Sequence, residues 1–466
     1  MNLDHSFTIS GALVDGEQRE IRCQSGRITH VARHVPPADQ HFDFGGCEVI
    51  PGLHDHHIHL RALAASDQSI RLGPLDVANE RGARTALQEA TGTGWLRAIN
   101  YHESVAGDID RHWLDTVIDH RPVRAQHRSG RRWILNSLAC ETIDLAALHS
   151  PAIERDPTGR PTGRVTGADN MLRQLIPPLT LDMSAVGQRL AAFGVTGVTD
   201  LTPMIDASEA AHLAASCLTA EFPLSVHITG SPDLVDPHQF GFKLGPVKIV
   251  IGDHDLPQFD MLVGQFRQAR NQGRCVAVHA VTHVAVALCL AAWDVVAPIP
   301  GDRIEHGSLI SLAAASQLAH RNITVITQPR FVFERGDEYR RDVDADDVSD
   351  LWRCGSLVDA GVGVAIGTDA PYGSDNPWLS MASAVDRVTA TGAHLGRAEG
   401  ITHRRSLEMF LSTPNNPAGP IRRIAVGQPA DICVLDTAVK NAIDDTKNNH
   451  VVGTFTHRLT APLENI

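Results

Sequence analysis

Along most of this chain, short apolar runs of β character alternate with longer stretches in which apolar residues recur at helical spacing. That alternation is the mark of βα units feeding a parallel sheet. The first run opens at Pro51-Gly52-Leu53 and ends at His59. Later runs fall at residues 194–200, 224–229, 246–250, 275–279, 303–306, 323–328 and 362–369. With the first they make eight, the number that an α/β fold of the (β/α)8 (TIM) barrel type requires. The stretches between them, such as 259–271 and 283–292, carry helical periodicity.

Two parts of the chain break the alternation. Residues 1–50 read as short strands with tight turns: Phe7-Thr8-Ile9-Ser10 runs on toward Asp15-Gly16, and Ile21-Arg22-Cys23 turns at Ser25-Gly26 into 27–31. The far end holds another β-rich run at 430–436. Residues 1–50 and 415–466 are therefore expected to build one small composite β-sandwich, leaving 51–414 for the barrel. The second break is 61–182, far too long for a βα connection. It has apolar segments of its own at 95–101, 113–118 and 133–138, and a turn-rich piece at 156–163. It reads as a subdomain inserted after the first barrel strand.

Composition narrows the partners. Of 466 residues, 43% are hydrophobic and 20% charged, ordinary globular values. A net charge of −13 argues against nucleic acid or an anionic membrane as partner, because both select a basic face. No run approaches the roughly 20 consecutive apolar residues of a membrane span, and Met1 to Ser6 show no basic region ahead of an apolar one. The expectation is a soluble, cytoplasmic protein acting on a small molecule. None of the eight cysteines lies in a CxxC pair, and several sit in apolar runs; they read as buried, reduced thiols.

Several predicted strands end in side chains able to hold a metal ion. His57 and His59 alternate on one strand, so both imidazoles face the same way. His54 and His56 form a second pair out of phase with the first and face elsewhere. Lys248 stands between apolar residues, where a bare cation is costly. It is either held in a buried ion pair or carboxylated on Nζ by carbon dioxide, which would make it a bidentate anion able to bridge two metals. His279 and His306 end consecutive strands. Asp369 ends the last one, where a carboxylate beside a metal-bound water can take its proton and pass it to a leaving group; a helix N-cap is the plainer alternative. Gln328, Arg330, His283 and His227, at or near strand ends, are the candidates for touching substrate. Arg330 would suit an anionic group, or else a surface ion pair.

The motifs PGLHDHHIH (51–59), RDPTGRPTG (155–163), GVTGVTD (194–200), VKI (247–249), VHA (278–280), RIEHG (303–307), GTDAP (367–371) and VGQPADICVLD (426–436) occur in an order that resembles the amidohydrolase superfamily. Within it, the chain is similar to family 3, the metal-dependent hydrolases that resemble N-substituted formamide deformylase. The resemblance spans nearly the whole chain. It implies a barrel with a composite β-sandwich and one or two divalent ions, commonly Zn2+. His57 and His59 match the first-strand ligands, Lys248 the carboxylated fourth-strand lysine, His279 and His306 the fifth- and sixth-strand ligands, and Asp369 the eighth-strand aspartate. It also implies a homodimer or larger assembly. Three places depart from the family pattern: Gly130-Arg131, His279-Ala280-Val281-Thr282-His283 and Ile251-Gly252-Asp253-His254.

The expected function is hydrolysis of an amide-type, non-peptide C–N bond in a small molecule, through attack by hydroxide held on the metal. An esterase or lactonase on the same site is the alternative, and a non-catalytic binding protein is a third reading. Specificity rests on loops and on the insertion, where the resemblance is loosest.

Overall fold

The computed structural model describes residues 6–203, 205–217, 222–236, 241–252 and 256–458; Asp253 and His254 lie outside them. The chain divides into two compact units, Met1–Leu60 with Met183–Ile466, and Arg61–Asp182.

The first unit is built on eight parallel strands whose hydrogen-bonded order follows their order in the chain: Leu53–Ile58, Val195–Asp200, Ser225–Gly230, Phe242–Val250, Val276–Ala280, Arg303–His306, Thr324–Thr327 and Val364–Ile366. All eight expected strands are there. Several are buried along their whole length, as parallel strands covered on both faces must be. Helices such as Phe259–Asn271, His283–Val295 and Leu312–His320 connect them. The last two start at Thr282 and Ser311, whose hydroxyls accept the amides of Ala285 and Ala314. Such caps satisfy orphan N–H groups of the first turn.

The first and eighth strands close the barrel. Asp369 N donates to His57 O at 2.7 Å and His59 N donates to Ala370 O at 2.9 Å. Asp55, wholly buried, accepts the Thr368 amide at 3.0 Å, the Thr368 hydroxyl and the His57 amide at 3.1 Å. Gly367 stands where these strands press together; a Cβ there would lie 2.3 Å from the Cβ of His57. That approach explains why the eighth strand ends at Ile366 and not at 369: the chain leaves its ladder to pass the first strand.

The two ends of the chain share one seven-stranded sheet. Strands Ser6–Val14, Glu17–Gln24 and Arg27–Ala32 are joined by two-residue turns with positive φ at both positions, Asp15-Gly16 and Ser25-Gly26. That backbone matches the right-handed twist of a hairpin. Glu48–Pro51 pairs with Ile432–Leu435, which pairs in turn with Val451–Phe455. The sheet curls so that Phe7 stacks on Phe455, ring centroids 4.8 Å apart, over a core that includes Ile9, Ile21 and Ile432.

The second unit, Arg61–Asp182, carries a six-stranded sheet in the order Ile153–Arg155, Pro161–Thr166, Arg132–Leu135, Val123–His127, Leu96–Tyr101, Ile70–Arg71. Two apolar cores flank it, one around Leu96, Tyr101 and Val123, the other around Trp133, Leu145 and Val165.

Among the described residues no helix is long and apolar enough to cross a membrane. All eight cysteines are free thiols, six of them buried.

Replacing Asp55 by Ala strands three donors at the seam and should lower stability by about 2–4 kcal/mol, read as a fall in the urea midpoint. Gly367→Ala should disturb the same seam through contact alone, with a lowered melting temperature even though alanine suits the backbone there.

Candidate metal centre

His57 and His59 leave the first strand at its C-terminal end, facing Asp369 across the closure seam. Asp369 Oδ1 lies 3.2 Å from His59 Nε2 and 3.5 Å from His57 Nε2. One ligand atom from each of these three residues falls within 4.8 Å of the others. His306 joins from the sixth strand: its ring centroid is 4.7 Å from that of His57 and 4.4 Å from that of His279, and its Nδ1 is 3.9 Å from Asp369 Oδ2. Lys248 is buried two residues before the end of the fourth strand, and its charge acts on His57, His279 and His306.

Two of these residues hold unusual backbone. His306 has φ of +74° and Asp369 of +57°. Strand alternation would send His306 to the face opposite Glu305. The positive φ breaks that alternation, so Glu305 and His306 both meet His57. Left-handed backbone at a non-glycine residue costs of order 1–3 kcal/mol and persists only where surrounding structure enforces it.

A chain of buried charge supports His57. Glu305 Oε2 accepts its Nδ1 proton at 2.6 Å, and Arg303 Nε donates to Glu305 Oε1 at 2.6 Å. Burial alone would raise the Glu305 pKa, but Arg303 and His57 outweigh it and hold the carboxyl well below the usual carboxylate range. Asp369 is likewise held down: burial is outweighed by the hydrogen bond of His59 and the charges of His57 and His306. Burial lowers the imidazoles instead, His306 to about 3 and His57 and His279 below the ordinary histidine value. Lys248 is drawn down to about 8, again by burial, against the opposing pull of Glu305 and Asp369. The site thus combines neutral imidazoles, an ionised carboxylate and an amine that sheds its proton easily.

These residues suit a divalent ion. His57 Nε2 and Lys248 Nζ are buried with no hydrogen-bond partner among the described residues. Stranded buried polar groups are expensive, and their convergence beside Asp369 marks a place for a ligand. Imidazole nitrogen with carboxylate oxygen is a donor set that zinc accepts. The Nδ1 of His57 is occupied by Glu305 and that of His306 by Gln328 Oε1 at 2.8 Å, the outer support that orients metal-binding histidines.

The expected substrate contacts do not gather here. Gln328 is spent on His306 through Oε1 and on Ile326 O through Nε2. Arg330 pairs with Glu334 at 3.0 Å and lies over the Phe333 ring. His283 opens a helix and turns to Asp347 and Asp350, at 3.2 and 3.4 Å. His227 sits three residues before the end of its strand, deeper in the barrel, with its ring 6.0 Å from that of His54. His54 and His56 do point away from the His57 pair, toward Thr199 and Ser412. The sequence reading missed Glu305, Arg303 and Tyr372, whose ring is 5.4 Å from that of His59. The alternation Arg303-x-Glu305 within a buried strand was the available signal for the first two.

Comparison with known proteins identifies the family. The sequence matches the amidohydrolase family over residues 40–455. This chain belongs to that family. It is 26% identical to N-substituted formamide deformylase of Arthrobacter pascens, over 88% of this chain and 87% of the relative. It is 23% identical to the putative amidohydrolase YtcJ of Bacillus subtilis (strain 168), over 86% of each. The fold resembles that of an uncharacterized metal-dependent hydrolase from Pyrococcus horikoshii OT3, with a TM-score of 0.73 at 16% identity, over 93% of this chain and 98% of the other. As a member of the amidohydrolase family, the protein is a metal-dependent enzyme that hydrolyses C–N bonds.

Replacing Glu305 by Ala would leave Arg303 buried without its counter-ion, since Arg303 Nη2 already has no partner among the described residues. The expected loss is about 3–5 kcal/mol of stability, measured by denaturant unfolding.

Proposed function

We propose that this amidohydrolase cleaves a non-peptide, amide-type C–N bond of a small molecule at a centre formed by His57, His59, His279, His306 and Lys248, with Asp369 carrying the proton. The observation that carries this reading is the placement of Asp369 Oδ1 within 3.5 Å of both first-strand imidazoles, beside buried nitrogens of His57 and Lys248 that have no hydrogen-bond partner among the described residues. A divalent ion held there, Zn2+ by donor type, supplies an electrophile for the carbonyl and makes water acidic near neutral pH.

The protein's own part follows from its hydrogen bonds. Glu305 and Gln328 each accept a hydrogen bond from an Nδ1–H, which leaves the Nε2 lone pairs of His57 and His306 available for bonding. Asp369, kept ionised, accepts a proton from the attacking water and returns it to the departing nitrogen. Lys248 in its neutral form adds carbon dioxide: an N–C bond forms, one amine proton goes to solvent, and the product is an anionic carbamate. Its lowered pKa raises the share of neutral amine at physiological pH. A divalent cation held by these residues would offset the like charge of the carbamate and Asp369.

The preference for a non-peptide bond rests on the formamide deformylase relative, which aligns over most of both chains. A prolidase structure with N-methylphosphonate-L-proline bound shares only the fold, with a TM-score of 0.54 at 15% identity. A structure of N-isopropylammelide isopropylaminohydrolase from Burkholderia multivorans ATCC 17616, with a TM-score of 0.52 at 14% identity, likewise shares only the fold.

Stripping divalent ions with a chelator should abolish hydrolysis of N-acyl and N-formyl amines, and Zn2+ should restore it; full turnover in metal-free protein would overturn the reading. Asp369→Asn should keep bound metal and lose about 10²–10⁴-fold in kcat. Protein loaded in 13C-bicarbonate should show a carbamate carbonyl resonance by NMR that Lys248→Met lacks. Paired amide and ester substrates would separate the amidase from the esterase reading.

A further inference from the structure

The fourth barrel strand ends in an apolar residue that the hydrolytic chemistry leaves unused. Val250 is in register with His279 on the fifth strand, and His279 with Glu305 on the sixth. Residues paired in this way share one face of the sheet. That face is the barrel lumen, because Glu305 meets His57 there at 2.6 Å. Alternation along the fourth strand puts Lys248 on the same side, one step deeper than Val250. Exposure agrees with this direction. Ile249 and Ile251, on the helix-covered face, are 4% and 0% exposed, whereas Val250 between them is 46% exposed. Single exposed valines on an outer surface are ordinary. This one stands inside the lumen beside His279, at the C-terminal end of the strands, where barrel enzymes bind substrate.

We propose that Val250 seats an aliphatic acyl group of the substrate and so sets which amides the enzyme accepts. The inference rests on the proton path assigned above to Asp369. In a closed ring of eight strands joined in chain order, the fourth lies opposite the eighth. Val250 and Asp369 therefore face each other across the mouth. Asp369 returns its proton to the departing nitrogen, so the amine end of the substrate lies toward the eighth strand. The acyl end then points toward the fourth. The two sides differ in the way this orientation needs. His59, Asp369 and Tyr372 gather on one, and Val250 presents only methyl groups on the other. The third strand ends at Gly230, in register with Val247, and adds no strand side chain at the level of Val250. An acyl chain laid on Val250 removes apolar area from water on both partners, and the gain grows with each methylene covered. A formyl group, with hydrogen in place of a chain, would leave this valine uncovered.

The test uses the full chain loaded with Zn2+ and reads binding by calorimetry. The probes are acetohydroxamic and hexanohydroxamic acid, whose hydroxamate groups bind divalent ions and whose chains stand for the acyl group. Wild-type protein should bind the longer chain more tightly. The ratio of the two affinities should fall roughly three- to tenfold in Val250→Thr, which keeps the branched shape and strand preference of valine but adds a hydroxyl. Val250→Phe should shift the best-bound chain to a shorter one. A wild-type ratio near one, or a ratio that both variants leave unaltered, would overturn the inference. N-alkyl formamides carry the chain on the other side of the bond, so an effect of Val250→Thr on chain length confined to their turnover would overturn the acyl assignment. Failure of the Zn2+-loaded protein to bind either hydroxamate would instead overturn the metal-centre reading, and this inference with it.

Discussion

The seam between the first and eighth barrel strands governs the rest of the site, because the side chains that meet there come from opposite ends of a long chain. His57 and His59 stand on one side and Asp369 on the other. Their separation is set by two backbone hydrogen bonds and by a buried carboxylate, Asp55, that grips the Thr368 amide and hydroxyl. Burial lifts the Asp55 pKa to about 7, against hydrogen bonds from Thr368 and His57 that pull it down. A group so placed is costly to bury and useful only if all its bonds are made. The bare Cα of Gly367 completes the arrangement, since any side chain at that position would push His57 aside.

Behind the seam lies a second constraint, the ion pair of Arg303 and Glu305. Neither group reaches water. Such a pair contributes little net stability on average, so its value here is geometric. It fixes the ring of His57 from behind, while Gln328 does the same for His306. The strained φ values of His306 and Asp369 belong to the same picture: packing pays for backbone that presents side chains no regular strand would present.

Much of this architecture was legible in the sequence because parallel strands are buried on both faces and read as compact apolar runs. All eight were found that way, and the phase of His57 and His59 against His54 and His56 followed from alternation alone. What alternation cannot give is depth. His227 was placed near a strand end, yet three more residues follow it in the strand, and its neighbour is His54. Nor can local sequence say which partner a strand-end polar group will choose, so Gln328 and Arg330 looked available when they were committed to His306 and Glu334. Glu305 was overlooked for a related reason: its neighbour His306 leaves strand geometry, and only the folded backbone places both beside His57.

The sheet made from both ends of the chain has a consequence for biosynthesis. Val49 finds its ladder partner about 385 positions later, at Val434. At elongation rates of roughly 5–20 residues per second, about 20–80 s pass between the two leaving the ribosome. Throughout that time Phe7, Ile9 and Ile21 lack the cover that Ile432 and Phe455 later give them. The early hairpins therefore wait as an apolar, unfinished edge until the last strands are made.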